Sequence, residues 1–424
     1  MHSRCAFNKH LLLRGSTMLI ALLATLNFIP RTLMSPISPS AYRLILNHGF
    51  STNWFKTAEP LSKYNDRNIE DISLKGFTNV RLRSRADLYS PPYNSTDFSY
   101  FLKNLTVVVD KCLEVGVAPI ISWINHRAEA YASEDDRKDY VAWWTAVAKQ
   151  LRDKDYSLSF NLFAELGLDG CGGKKSTCGE SLRMRPDKYN RWTSDVVAAI
   201  RATGDRNNNR ILILGSPGKT GKDLNKIDKD IHRNDRFMLA EWHIYASGPN
   251  KKVGGQKYWS GDGRPKGREN VNKAVTPVRQ AADFTDSSGL PTYLGAWMPA
   301  DNKDGSLDQV EVINFARYFA ITLEEKGIPW SLNVLDRYYD TEKSEWLTER
   351  QNIKGRILNM SLVLDKIMEV MRASGEEKEL NQPKGTGNVQ KNNGLFQNTC
   401  NMPFYQRMSL VIFSYIIAYN SFFY

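Results

Sequence analysis

The chain has 424 residues, 42% of them hydrophobic and 24% charged, which are ordinary proportions for a globular protein. Its formal net charge of +11 falls in local clusters at Lys222 to Arg233, Lys251–Lys252 and Arg264 to Arg268, with no continuous basic arm and no zinc-finger or other nucleic-acid motif. Nucleic acid is therefore not the expected partner, and the charge reads as a solvated surface or as an attraction for an anionic polysaccharide. Aromatic residues are abundant, with 10 Trp and 19 Tyr, which serve a large core or flat platforms for sugar rings.

In chain order, Arg4, Lys9 and Arg14 precede an apolar run from Met18 to Ile29 and a proline. That layout predicts a signal peptide over 1–34. The run is shorter than the ~20 residues a membrane span needs. Without a small-x-small cleavage site, an uncleaved anchor is the other reading. Three Asn-x-Ser/Thr sequons, at Asn94, Asn104 and Asn359, fit a secreted or extracellular chain. Among five cysteines, Cys171 and Cys178 flank a short loop, and their spacing predicts a local disulfide in an oxidising compartment. Cys112 lies on a helical pattern as a buried thiol. No histidine joins the close pair, so no metal is expected, and no cofactor is implied.

Between about Tyr42 and Ala373, short apolar strands alternate with amphipathic stretches. The predicted strands are Arg43–Asn47, Asn79–Arg83, Ala118–Trp123, Ser157–Phe163, Arg210–Leu214, Phe237–Tyr245, Pro291–Ala296 and Pro329–Leu335, each short and apolar as strands buried on both faces must be. Helices are clearest at Asp136 to Asp153, where Tyr140, Trp144, Val147 and Leu151 make one face, and at Gln309 to Lys326. Eight such units predict a single-domain (β/α)8 TIM barrel over 35–374. A doubly wound open sheet is the alternative, but the Gly-rich phosphate turn it usually carries is not seen. A polar linker is expected over 375–407. The hydrophobic tail over 408–424 reads as a GPI signal or a membrane anchor.

In such a barrel, chemistry collects at the C-terminal ends of the strands. Strand two carries Arg81 and Arg83. Strand three runs into Trp123, Asn125 and His126, and strand four ends at Glu165. On strand six, alternation puts Glu241, His243 and Tyr245 on one face. Strand seven reads Tyr293-Leu-Gly-Ala296-Trp297-Met298, and strand eight contains Trp330 and Asn333.

Taken in order, Gly-Phe-x-x-Val-Arg on strand two, the carboxylate ending strand four, His-x-Tyr on strand six, Tyr-x-Gly on strand seven and Trp on strand eight resemble the cellulase family, glycoside hydrolase family five. The resemblance covers roughly 300 residues, the whole barrel. It implies retaining hydrolysis of a β-linked glycan, with one carboxylic acid protonating the leaving oxygen and a carboxylate roughly 5 Å away attacking the anomeric carbon. Glu165 then corresponds to the acid/base, and Arg81, His126, His243 and Tyr245 to residues lining the cleaved sugar's site. Apolar neighbours such as Phe163 and Leu166 would help that acid hold its proton.

Three positions depart from the pattern. Ala164 replaces the Asn before the acid/base, Ala296 replaces the strand-seven glutamate, and Asn333 stands where a Trp is usual. Alanine cannot be a nucleophile, so a second carboxylate must come from elsewhere. Glu241 is the first candidate, although it starts about two residues deeper, ~6–7 Å along the strand. A buried partner for Arg81 or Arg83 is its other reading. Asp336 and Asp301 are weaker candidates. Trp123, Trp242 and Trp297 read first as core. Trp297 is kept beside Trp330 and Trp259 as a candidate sugar platform. The expectation is a glycosidase acting on a β-linked polysaccharide. The rival is a catalytically inactive barrel that binds glycans.

Overall fold

The computed structural model describes residues 35–57, 59–89, 95–164, 166–245, 265–300, 308–353 and 355–380; of 95–97, 245, 265–274 and 376–380 it describes the backbone only. Eight parallel strands close into a barrel in sequence order: β1 (His48–Phe55), β2 (Asn79–Arg85), β3 (Ala118–Ile124), β4 (Ser159–Asn161), β5 (Leu212–Gly215), β6 (Met238–Tyr245), β7 (Thr292–Met298) and β8 (Trp330–Asn333). The predicted (β/α)8 barrel is the observed fold.

The first predicted strand is corrected. Residues Pro39–Leu46 form a helix, α1, and β1 follows it. The Ser38 side chain accepts from the Ala41 backbone N–H, and Pro39 opens the first turn, which together start a helix where apolar content alone suggested a strand. α1 places Tyr42 and Leu46 in a small core with Ala118, Ile120, Ile211, Ile213, Leu239 and Tyr293. Most of these are inward-facing strand residues near the start of β3, β5, β6 and β7, so the helix plugs the barrel's N-terminal end.

The helices α2 (Asp66–Leu74), α3 (Ser95–Glu114), α4 (His126–Tyr131), α5 (Glu134–Gln150), α6 (Pro186–Arg201), α7 (Lys229–Arg233), α8 (Pro265–Ser288), α9 (Gln309–Glu325) and α10 (Met360–Leu380) alternate with the strands or follow the last of them. α5 and α9 both begin with a capping box, at Ser133/Asp136 and Asp308/Glu311, which fixes their starts within two residues of prediction. The main core lies between barrel and helices and contains Trp143, Trp144, Trp242, Phe319 and Leu332. Arg210, fully buried at the start of β5, donates to the carbonyls of Leu151, Lys154, Asp155 and Leu158 after α5. Burial pushes its pKa down to about 10. Two antiparallel pairs follow the barrel, β9 (Tyr339–Asp340) with β10 (Glu345–Trp346) and β11 (Arg350–Ile353) with β12 (Arg356–Asn359). The last helix runs through Leu380, past the linker start expected at 375. The polar and hydrophobic tails predicted beyond it lie outside the described residues, as does the predicted signal segment. Among the described residues, no helix is long and apolar enough to cross a membrane.

Candidate active site

Strand alternation turns Arg81, Asn161 and Glu241 into the barrel. Arg81 is 1% exposed, and its Nη2 lies 2.7 Å from Glu241 Oε1. The same nitrogen donates to Asn161 Oδ1 at 3.1 Å and to the Ala164 carbonyl. Glu241, also 1% exposed, has His243 Nε2 at 2.8 Å from Oε1, and its Oε2 accepts from Asn161 Nδ2 at 2.6 Å. Ser122 Oγ donates to Asn161 Oδ1 at 2.6 Å. A buried ion is tolerated only when paired and hydrogen-bonded, and here both charges are. The network joins β2, β3, β4 and β6, so it holds the C-terminal mouth in one arrangement. Asn161 was not anticipated. Its signal was a polar residue inside the short buried strand Ser-Phe-Asn.

Glu241 pairs in register with Tyr293. Its carboxylate, however, lies against Gly295, two residues further toward the mouth, where an added Cβ would overlap Oε1 and Cδ. It also reaches His243, two residues further along its own strand. The side chain thus makes up the depth that its backbone position lacks. A register shift between Trp242 and His243 sets His243 opposite Ala296, a bulge that re-aims the strand end. A small concavity at this point is lined by Phe163, Ala164, Leu166, Gly215, Ser216, Lys219, Glu241 and His243.

Of the other candidates, Glu165, Trp259 and Asp301 lie outside the described residues, and Tyr245 is described only as the last residue of β6. His126 is not on β3 but opens α4, with Nδ1 3.6 Å from Glu129 Oε2. Glu129, also unanticipated, is 1% exposed and accepts from the backbone N–H of Asn125 at 3.3 Å and of Gly167 at 3.4 Å. Burial raises its pKa, while its carboxylate beside the imidazole raises that of His126. The pair ties α4 to the loop after β4. Arg83 donates to Asn53, whose amide donates to Asp336 at 2.7 Å.

Two of the proposed sugar platforms are corrected. Trp330 is fully buried outside the barrel against His48, Phe77 and Trp297. Trp297, 1% exposed, packs on Phe319 of α9. Both fall on the outward phase of their strands, so neither ring offers a face to a ligand. Trp123 and Trp242 are core, as read from sequence. Cys171 and Cys178 form the predicted disulfide, with Cα atoms 5.4 Å apart, and Cys112 is a buried free thiol. Asn94 lies outside the described residues. Asn104 lies half-buried on α3, its amide nitrogen buried. Asn359 ends β12, its amide donating to the Thr348 carbonyl at 3.2 Å. Among the described residues, no group of His, Cys, Asp or Glu could hold a metal ion.

Residues 43–335 match cellulase, glycosyl hydrolase family 5. The chain belongs to that family. It is 28% identical over 207 residues to the cellulase/esterase CelE of Acetivibrio thermocellus, which covers 46% of this chain and 24% of that protein. The chain thus spans about a quarter of that curated relative. Similar solved structures include endoglucanase Cel5A of Thermotoga maritima, with a TM-score of 0.58, 16% identity and coverage of 79% of this chain and 99% of that one. A broad-specificity endoglucanase from Ruminococcus flavefaciens gives 0.62, 18%, 80% and 99%. At such identities these two share the cellulase barrel and speak to the fold alone.

Proposed function

We propose that this cellulase-family chain is a secreted glycoside hydrolase acting on a β-linked polysaccharide of the glucan or mannan type, with Glu165 as acid/base and Glu241 as the second carboxylate. The observation that carries this reading is the place of the Glu241 carboxylate over Gly295, beside the alanine that stands where the family keeps its glutamate. Family membership supports the substrate class. The disulfide supports an oxidising compartment.

In the proposed reaction, Glu165 gives its proton to the leaving glycosidic oxygen as that oxygen's bond to the anomeric carbon breaks. Glu241 forms a bond to the same carbon. Water then attacks the glycosyl ester, gives its proton to Glu165 and frees Glu241. Arg81 and Asn161 aim the carboxylate and leave it little freedom, which is the positional requirement for an efficient attack. Reducing-end assays of wild-type chain, Glu165→Gln and Glu241→Gln on β-glucan, mannan, xylan and an anionic glycan test this. Hydrolysis by the wild type that falls by several orders of magnitude in both variants is expected. Hydrolysis unchanged in Glu241→Gln contradicts its role.

The second reading, a glycan-binding barrel without catalysis, is favoured by Ala296 and by the three side-chain partners that already occupy Glu241. It predicts retained glycan binding with no hydrolysis by any form of the chain.

A further inference from the structure

Ser331 and Asn333 lie on the inward phase of β8. Ser331 Oγ is bonded to Tyr293 and donates to Asn79 Oδ1 at 2.5 Å, both inner-face residues, while Leu332 between them belongs to the outer core. Asn333 pairs in register with Ser51, and Ser51 with Arg81. Asn333 therefore shares a row of the barrel wall with Arg81, separated by one strand, roughly 10 Å at the usual strand spacing. Ser51 Oγ in turn donates to the Gly295 carbonyl at 3.2 Å, so this row borders the ledge under the Glu241 carboxylate.

Asn333 carries a buried polar atom. Its Oδ1 is buried and has no hydrogen-bond partner in the protein. Turning the amide over would only exchange which polar atom is buried in that place. Buried polar atoms are nearly always paired, because an unpaired one carries a desolvation cost, and exceptions concentrate where a ligand completes the bond. Where the family's usual Trp would offer a ring face, this chain offers a buried acceptor at the mouth.

We propose that Asn333 is a specificity-determining residue that accepts a hydrogen bond from a hydroxyl of the sugar bound at the barrel mouth. This rests on the glycan reading above. A site built around a substrate hydroxyl rejects the analogue that lacks it far more strongly than an apolar site rejects a small change of shape. Asn333 should thus make this subsite selective for one hydroxyl rather than for any flat ring.

The test is calorimetric binding of cellotetraose and of its mono-deoxy analogues to the full chain and to Asn333→Leu, with thermal melts of both proteins. The wild type should bind the parent about five- to tenfold more tightly than Asn333→Leu does, in line with one neutral hydrogen bond. One deoxy analogue should show the same loss on the wild type and no further loss on the variant. The melting temperature of Asn333→Leu should hold or rise, since an unpaired polar atom is removed. Equal affinity of the two proteins for the parent overturns the proposal. So does a variant that loses every analogue alike, or one that melts lower, since either marks a packing role. A wild type that binds neither cellotetraose nor a mannan or xylan oligosaccharide overturns the glycan reading itself, and that outcome shows in the wild type alone.

Discussion

The carboxylate of Glu241 occupies the space that a side chain at position 295 would need, and Gly295 leaves it free. Gly295→Ala should force the carboxylate away from Arg81 and His243. Overpacking of this kind costs about 1–3 kcal/mol, and the disturbed ion pair adds to it. The same substitution in a Glu241→Ala background should cost much less. Denaturant midpoints of the four proteins give the coupling, and additive losses would show that the two residues do not compete for the space.

Arg81 and Glu241 are both 1% exposed and face one another. Arg81→Met leaves a buried carboxylate without its cation and should cost about 3–5 kcal/mol. Arg81→Met with Glu241→Leu should recover most of that loss, because a buried pair is often replaceable by apolar residues of similar size. Equilibrium unfolding of the single and double variants checks this.

Trp330 and Trp297 hold the barrel to its helical shell. Trp330→Ala should lower stability by about 3–5 kcal/mol. A folded variant, assayed below its melting temperature, should keep the wild-type affinity for oligosaccharides. Lost affinity with unchanged stability would restore the platform reading.

His126 is raised above its ordinary pKa of 6.5, first by the Glu129 carboxylate beside it. A base whose folded pKa lies above its unfolded value stabilises the fold fully below the unfolded value, and that stability is lost as pH rises through the folded one. Glu129→Gln should bring the His126 midpoint down toward 6.5 and flatten the stability profile above that pH. An NMR titration of the imidazole checks the first expectation, and melts from pH 6 upward check the second.

The barrel was legible because buried parallel strands write themselves as apolar runs separated by helical periods, and the strand-two and strand-six motifs put Arg81 and His243 on the strands that carry them, β2 and β6. The first strand was misread because Tyr42 and Leu46 are apolar for a different reason: they plug the barrel from a capped helix. Trp330 was misread because family position was taken as orientation, and only the alternation with inward Ser331 reveals that its ring points outward. Asn161 and Glu129 escaped notice because their roles depend on partners 80 and 38 residues away. Glu241 had two readings in the sequence, and its reach over Gly295 is a tertiary fact that strand spacing alone could not supply.

The most direct measurement is to treat the chain with an activated 2-deoxy-2-fluoro cellobioside, whose glycosyl ester hydrolyses slowly, and to map the product by peptide mass spectrometry. One sugar increment on the peptide containing Glu241, absent in Glu241→Gln, is the predicted result. An increment on a different carboxylate, or hydrolysis of natural glycan with no adduct at all, would contradict Glu241 as the nucleophile of this site.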